Sequence, residues 1–255
     1  MMGALTGNKA LVTGGKRNIG RGIALALAEA GCDVGINDLE EDDDACETVR
    51  RIESMGRRSA FYAADISDAS QVEELLRQFV ADFGTIDTLV NNPFWSTNRP
   101  FLELEVDNWS RTMDVCVKGF FLCSQAAARV MVDDGHGGSI TSIASVHAET
   151  VWPEDCAYGV AKAAILRLTR SMAIELGQHG IRANAILPGF MDTDHEFGTP
   201  PPTPDTAAGV SRGTPVLGRP STPEDIGRAV AFLASPAAAT INGVSLPVDG
   251  GLLAW

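Results

Sequence analysis

Basic residues are in the minority in this 255-residue chain, with 20 Lys and Arg against 33 Asp and Glu and a formal net charge of −13. A surface that gains affinity by neutralising phosphates needs the opposite balance, so nucleic acid is not an expected partner. Long apolar runs are missing too. No uncharged stretch approaches the roughly 18 residues needed to cross a bilayer. The first residues, Met1-Met2-Gly3-Ala4-Leu5-Thr6, lack the basic start and apolar core of a secretory signal. Paired cysteines are also missing: Cys32, Cys46, Cys116, Cys123 and Cys156 are odd in number and contain no C-x-x-C, which excludes a disulfide framework or a zinc site of that type. Histidine is scarce, and His136, His147, His179 and His195 fall in no H-E-x-x-H spacing, so no metal is expected. These absences describe a soluble, cytoplasmic protein with no membrane partner.

What is present is an alternation. Short apolar runs rich in Val, Ile, Ala and Leu, starting with Ala10-Leu11-Val12, are each followed by a longer segment of helical period, the first from Ile19 to Ala30 and closed by Gly31. Further strands are expected at Val34 to Asn37, Ala60 to Ala63, Leu89 to Asn91, Ser139 to Ile143, Arg182 to Leu187 and Val244 to Val248. One long helix is expected from Asp107 to Val132, another from Cys156 to Gln178 and a last from Pro223 to Ala234. Strands that are apolar almost throughout, each separated by a helix, imply a parallel sheet buried on both faces. The expected fold is α/β: a doubly wound, Rossmann-type, seven-stranded parallel sheet in a three-layer α/β/α arrangement. Nothing divides the chain, so residues 1–255 are read as one domain. A long irregular segment at about 190–215 has the length of a functional loop.

Two motifs carry chemistry. Thr13-Gly14-Gly15-Lys16-Arg17-Asn18-Ile19-Gly20 follows the first strand and opens the first helix, where unpaired N–H groups and the helix dipole favour a pyrophosphate. Taken alone it is equally an ordinary glycine-rich turn. Asp38, at the end of the second strand, adds weight, because a carboxylate there accepts hydrogen bonds from the adenosine ribose and repels a 2′-phosphate. That points to NAD, with NADP not excluded, since Lys16 and Arg17 are either partners for a 2′-phosphate or solvated loop charges. The second motif is Tyr158-Gly159-Val160-Ala161-Lys162, which sets a phenol and an ammonium at i and i+4 on one helix face, with Ser145 upstream at the carboxyl edge of the fifth strand.

With these residues in hand the chain resembles the short-chain dehydrogenase/reductase family. The resemblance runs from Thr13-Gly14 to Val248-Asp249-Gly250-Gly251 and includes Asp65, Asn91-Asn92, Ser145, Tyr158, Lys162, Pro188-Gly189 and Thr193. It implies an oxidoreductase that moves hydride between a nicotinamide and a carbonyl or carbinol carbon, with Ser145, Tyr158 and Lys162 catalytic. The turn residues Gly14, Arg17, Asn18, Ile19 and Gly20 would hold the dinucleotide together with Asp38. Asp65 and Ile66 would lie beside the adenine, Asn91 would support the central strand, and Pro188, Gly189 and Thr193 would lie near the nicotinamide. The segment at about 190–215 would be a substrate lid. Such proteins are commonly dimers or tetramers, and the helices around Phe120-Phe121 and Ile165-Leu166 carry more apolar residues than one sheet-facing stripe requires.

Three positions depart from the family pattern. Asn18 stands where a second glycine is usual, Pro93-Phe94 replaces Ala-Gly after Asn91-Asn92, and Cys116 occupies the place of an active-site Asn. A thiol is a weak hydrogen-bonding group, so a water-linked proton relay through that position is put in question. Residues expected to border the substrate are Phe94, Trp95, Ser145, His147, Glu149, Trp152 and Tyr158. His147 and Glu149 suit a small hydroxylated molecule such as a sugar or polyol, and Trp95 and Trp152 would stack on a sugar face or line an apolar cavity. The alternatives are a reductase of carrier-bound 3-oxoacyl chains and a nucleotide-binding protein without catalysis.

Overall fold

The computed structural model describes residues 3–191 and 216–254. Thr193 and all but the first two residues of the expected lid therefore lie outside the described residues. Strands β1 (Lys9–Thr13), β2 (Asp33–Asp38), β3 (Ser59–Ala63), β4 (Thr88–Asn91), β5 (Gly138–Ile143), β6 (Ile181–Pro188) and β7 (Ser245–Val248) form one sheet. Their order is β3-β2-β1-β4-β5-β6-β7, and every pairing is parallel. This is the expected doubly wound architecture. The strand order reverses between β1 and β4, whose registers match Val12 to Val90, and that reversal opens a crevice at the carboxyl edge.

Side chains alternate across the sheet with period two. Leu11, Leu89 and Ile140 face a layer of α3 (Ala69–Phe83), α5 (Gly119–Asp134) and α6 (Cys156–Leu176), packing on Phe79, Phe120, Met131 and Ile165. Their neighbours Val12 and Val90 face α1 (Asn18–Ala30), α2 (Asp43–Ser54) and α7 (Pro223–Ala234), packing on Ile23, Leu27, Ile52 and Val230. Each such fully buried aliphatic side chain contributes about 1.5–3 kcal/mol. The second face is closed by a tight helix crossing. A Cβ on Gly227 of α7 would stand 2.4 Å from the Gly22 carbonyl oxygen of α1, so the two backbones meet where neither helix has a side chain.

The long helix expected from Asp107 to Val132 is real but not uniform. It starts as α4 (Val106–Met113), widens into a π turn over Asp114–Lys118 and continues as α5. Every residue in the run accepts helical backbone, so the period carries no warning of the widened turn. Packing supplies the reason: Val115 and Cys116 are buried in a small cluster with Ala161 of α6, and Trp95, Met113 and Val117 pack against it. The run Val106–Asp134 has the length and hydropathy of a membrane span, yet half of its most apolar window is buried inside the molecule.

Candidate active site

The β1–α1 loop is built for close approach. Gly14 takes φ +62° and Asn18 φ +48°, the left-handed region that Asn tolerates better than most residues. A Cβ on Gly20 would lie 1.9 Å from the Gly14 carbonyl oxygen, so only glycine closes this turn. Asp42, Asp68 and Thr222 cap α2, α3 and α7 through their side chains, whereas Arg17 at the head of α1 makes no such bond. The first N–H groups of α1 are left for another acceptor, and the Asn18 Nδ2 is buried without a partner among the described residues. These features fit a dinucleotide pyrophosphate. Asn92 completes the loop by donating from Nδ2 to the Gly14 carbonyl at 2.9 Å. The family resemblance gives a role only to its neighbour Asn91, whose Nδ2 donates to Ser124 Oγ at 2.9 Å.

At the end of β2, Lys16 is nearly buried and ties to Asp42 at 2.7 Å and to Asp38 at 3.9 Å. Burial works to lower its pKa, but the hydrogen bond to Asp42 and the charges of Asp38, Asp42 and Glu40 outweigh it, and the ammonium is held above its ordinary value. Arg17 is exposed. Asp65 receives hydrogen bonds from Ser67 and from Arg111 at 3.1 Å. Burial opposes these bonds, which nonetheless hold its carboxyl below the usual range. Ile66 is buried beside it and touches the space a Cβ on Gly119 would need. At the far side of the crevice, Gly189 bonds to the Val248 carbonyl and packs so closely on Asp249 that a Cβ would stand 2.8 Å from its Cα.

Three side chains stand near the carboxyl edge of β5, Lys162 against Tyr158 and Ser145 linked to Tyr158 through His147. Ser145, 6% exposed, accepts the His147 amide on Oγ at 3.2 Å. Tyr158 and Lys162 lie on the first turns of α6, with the Lys162 Nζ 5.4 Å from the Tyr158 ring centre. That ammonium is 2% exposed and donates to the Ile143 carbonyl at 2.8 Å. Burial pushes it below its ordinary value, and the neighbouring Cys116 opposes that shift. Cys116 lies in the π turn, fully buried, with its Sγ 3.8 Å from the Trp95 carbonyl.

Around Tyr158 the aromatic residues read from the sequence come together unequally. Phe94 meets its ring edge-on at 6.1 Å between centres, and His147 does so at 5.3 Å from another direction. Trp152 stacks on His147 at 4.3 Å. Trp95 turns inward onto the Cys116 cluster, and the Glu149 side chain is exposed with no hydrogen bond or ion pair to the group. Asp155 was missed: an Asp before a helix reads as an N-cap, and nothing in the pattern separates it from one. A cavity of about 590 Å³ lined by Asn8, Asp87, His136 and Arg182 lies at the opposite, amino edge of the sheet, remote from these groups.

A parallel sheet of this order with a glycine loop at its reversal point is a dinucleotide-binding architecture. Residues 14–253 match a family model described as enoyl-(acyl carrier protein) reductase. The chain is 37% identical over 256 residues to the 2-dehydro-3-deoxy-D-gluconate 5-dehydrogenase of Dickeya dadantii, covering 98% of this chain and 97% of that protein. It is 36% identical to the L-rhamnose 1-dehydrogenase (NAD(P)(+)) of a Sphingomonas species, covering 98% of each. Among solved structures, acetoin dehydrogenase from Enterobacter cloacae superposes with a TM-score of 0.86 at 40% identity, covering 97% of this chain and 96% of that one. The chain belongs to the short-chain dehydrogenase/reductase family. It is an oxidoreductase of CH–OH groups.

Proposed function

We propose that the protein is an NAD-preferring dehydrogenase that interconverts a secondary alcohol and a ketone, or a hemiacetal and a lactone, on a small hydroxylated molecule, with Ser145, Tyr158 and Lys162 as its catalytic residues. The observation that carries this reading is the convergence of those three side chains at the carboxyl edge of β5, beside a loop that fits a pyrophosphate. A bound nicotinamide supplies the hydride acceptor or donor. A free phenol ionises near pH 10, so the Lys162 ammonium beside Tyr158 serves to favour phenolate and let Tyr158 take the hydroxyl proton. Ser145 Oγ donates to the substrate oxygen as charge develops there. Lys162 has three donors and spends one on Ile143, which leaves others for a ribose hydroxyl and a water.

The preference for NAD rests on Asp38 and on Lys16, which Asp42 holds and which is not free to meet a 2′-phosphate. Asp38, with Asp65, Ile66, Pro188 and Gly189, completes the proposed dinucleotide site. The relatives' names support a sugar or small hydroxyketone as substrate. A reductase of carrier-bound acyl chains is the second reading, favoured by the description of the matching family model and opposed by the net charge of −13 against an acidic carrier. We also assign the protein to the cytoplasm, where five free cysteines stay reduced, and propose that it self-associates.

The test is Tyr158→Phe. Turnover on the best substrate falls by at least about two orders of magnitude, the usual worth of a positioned acid/base group, while fluorescence titration still shows NAD bound more tightly than NADP. Near-wild-type turnover would sink the catalytic assignment, and tighter NADP binding the cofactor assignment.

A further inference from the structure

Asp155 stands at the N-cap of α6, the position where a carboxylate ordinarily accepts N–H groups of the first helical turn. Its side chain makes no such bond. The carboxylate instead reaches back across the loop, with Oδ2 2.7 Å from the His147 Nδ1 and 3.4 Å from the Trp152 amide nitrogen. It is 7% exposed, so this is a buried acceptor committed to an imidazole rather than to solvent. The chain reaches Asp155 through Glu154 at φ +66°, a left-handed turn rare outside glycine and Asn. On its other side the His147 ring is sandwiched: Trp152 stacks on it at an interplanar angle of 24°, and the Tyr158 ring meets it edge-on at 80°. The His147 amide donates to Ser145 Oγ.

The consequence for the imidazole is definite. An ionised carboxylate only accepts, so the proton of the 2.7 Å contact lies on Nδ1. Nε2 is then the nitrogen left over, without a partner among the described residues, on a side chain 28% exposed. A stacked aromatic and a buried carboxylate fix the ring in both tilt and tautomer. Such rigidity serves a group that must meet a ligand atom at a set place.

We propose that His147 is a specificity-determining residue that hydrogen-bonds, through Nε2, an oxygen on the carbon next to the one oxidised or reduced, with Asp155 as its positioning residue. This deepens the catalytic reading above and rests on it: Ser145 and Tyr158 take the reacting oxygen, and His147, which touches Ser145 through its amide and Tyr158 through its ring, takes its neighbour. The substrate class is therefore vicinal, an α-hydroxyketone, 1,2-diol or sugar. Neutral Nε2 accepts from a hydroxyl there, and a protonated ring donates to a carboxylate or carbonyl oxygen.

The experiment compares a matched pair with NADH, 3-hydroxybutan-2-one and butan-2-one, which differ by one hydroxyl. The wild type prefers the hydroxyketone in kcat/KM by about tenfold or more, because a site built to bond a hydroxyl discriminates against the analogue lacking it. His147→Phe collapses that preference, and His147→Gln, which keeps a polar tip, restores part of it. Asp155→Asn weakens it mainly through KM. A ratio unchanged in His147→Phe would overturn the proposal. A second readout does not need turnover. In histidine-labelled Tyr158→Phe protein with NAD bound, the Nε2 resonance of His147, assigned by its loss in His147→Gln, shifts on adding cyclohexane-1,2-diol and not on adding cyclohexanol. Equal shifts with both, or none with the diol, would overturn the proposal. Full turnover in Tyr158→Phe would instead overturn the catalytic reading, leaving the resonance to report on His147 separately.

Discussion

Cys116 bears most directly on how a proton leaves the site. It fills the place of an amide in the family pattern, and the structure puts it at the centre of the π turn, fully buried, with its Sγ 3.8 Å from the Trp95 carbonyl. Lys162 packs close by, with one hydrogen bond to Ile143 and its remaining donors free of protein acceptors among the described residues. A thiol offers a weak donor and a weak acceptor where an amide offers both strongly, so any water beside Lys162 is poorly held from this side. Cys116→Asn should raise turnover, or shift its pH profile, wherever proton release limits the rate, and a solvent deuterium comparison of the two forms checks it. Identical turnover, pH dependence and isotope effect would show that the side chain takes no part. This departure is legible in the sequence because the family resemblance places an active-site Asn at one position of the run Met113 to Gly119, and Cys116 stands there. The Asp155–His147 pair was not legible, since its members are joined by an irregular loop in which no period relates one residue to another.

Elements differ in how their ends are made, and the ends account for where sequence reading stops. The sequence places α7 from Pro223 to Ala234, and the structure has it at the same bounds. Pro at the first helical position, Thr222 before it and Asp225 three residues on form a capping box, a local signal complete in four residues. The π turn has no such signal, because it follows from packing against α6, a partner some forty residues away by roughly the span of a typical crossover. The capping box also gives a stability test. The Asp225 carboxyl lies well below the usual range, first through its hydrogen bond to Arg219 and then through the Thr222 amide; burial opposes them, and Arg228 adds a smaller lowering. A carboxylate depressed in the folded state stabilises it fully above its unfolded value near 3.9, and that contribution fades as pH falls through the folded value. Thr222→Ala should cost about 1 kcal/mol, or roughly 2–4 °C in Tm for a chain of this size. The Tm difference between Asp225→Asn and wild type should stay constant from about pH 7 to 5 and shrink below about pH 4. A difference that grows on acidification would show that the carboxylate does not stabilise the helix.

At the scale of the whole molecule, the sheet was readable because parallel strands buried on both faces appear as unbroken apolar runs, whereas surfaces leave no comparable mark. The helices around Phe120-Phe121 and Ile165-Leu166 were read as having apolar residues to spare for a partner, and the structure corrects the list. Phe120, Ile165 and Leu166 are buried in the core, and of the four only Phe121 faces outward, at 45% exposed. The outward face is nonetheless the one we propose for self-association. A groove of about 360 Å³ runs between α5 and α6, lined by Phe121, Ala128, Leu168 and Met172 together with Arg129 and Glu175. A chain of charge −13 repels its copies at long range, so association needs an apolar centre with charges of both signs at its rim, and this face has them. A two-fold axis across it would set each Arg129 near the copy's acidic residues and bury both Phe121 rings, as isologous contacts do. Sedimentation at micromolar concentration should give a multiple of 26.9 kDa. Phe121→Glu should shift the distribution toward the monomer, and added salt should not, since an apolar centre is unscreened while long-range repulsion is relieved. A wild-type protein that sediments only as the monomer would refute self-association, and a multimer indifferent to Phe121→Glu would move the interface elsewhere, first to the edge of β7, which among the described residues is paired only on its β6 side.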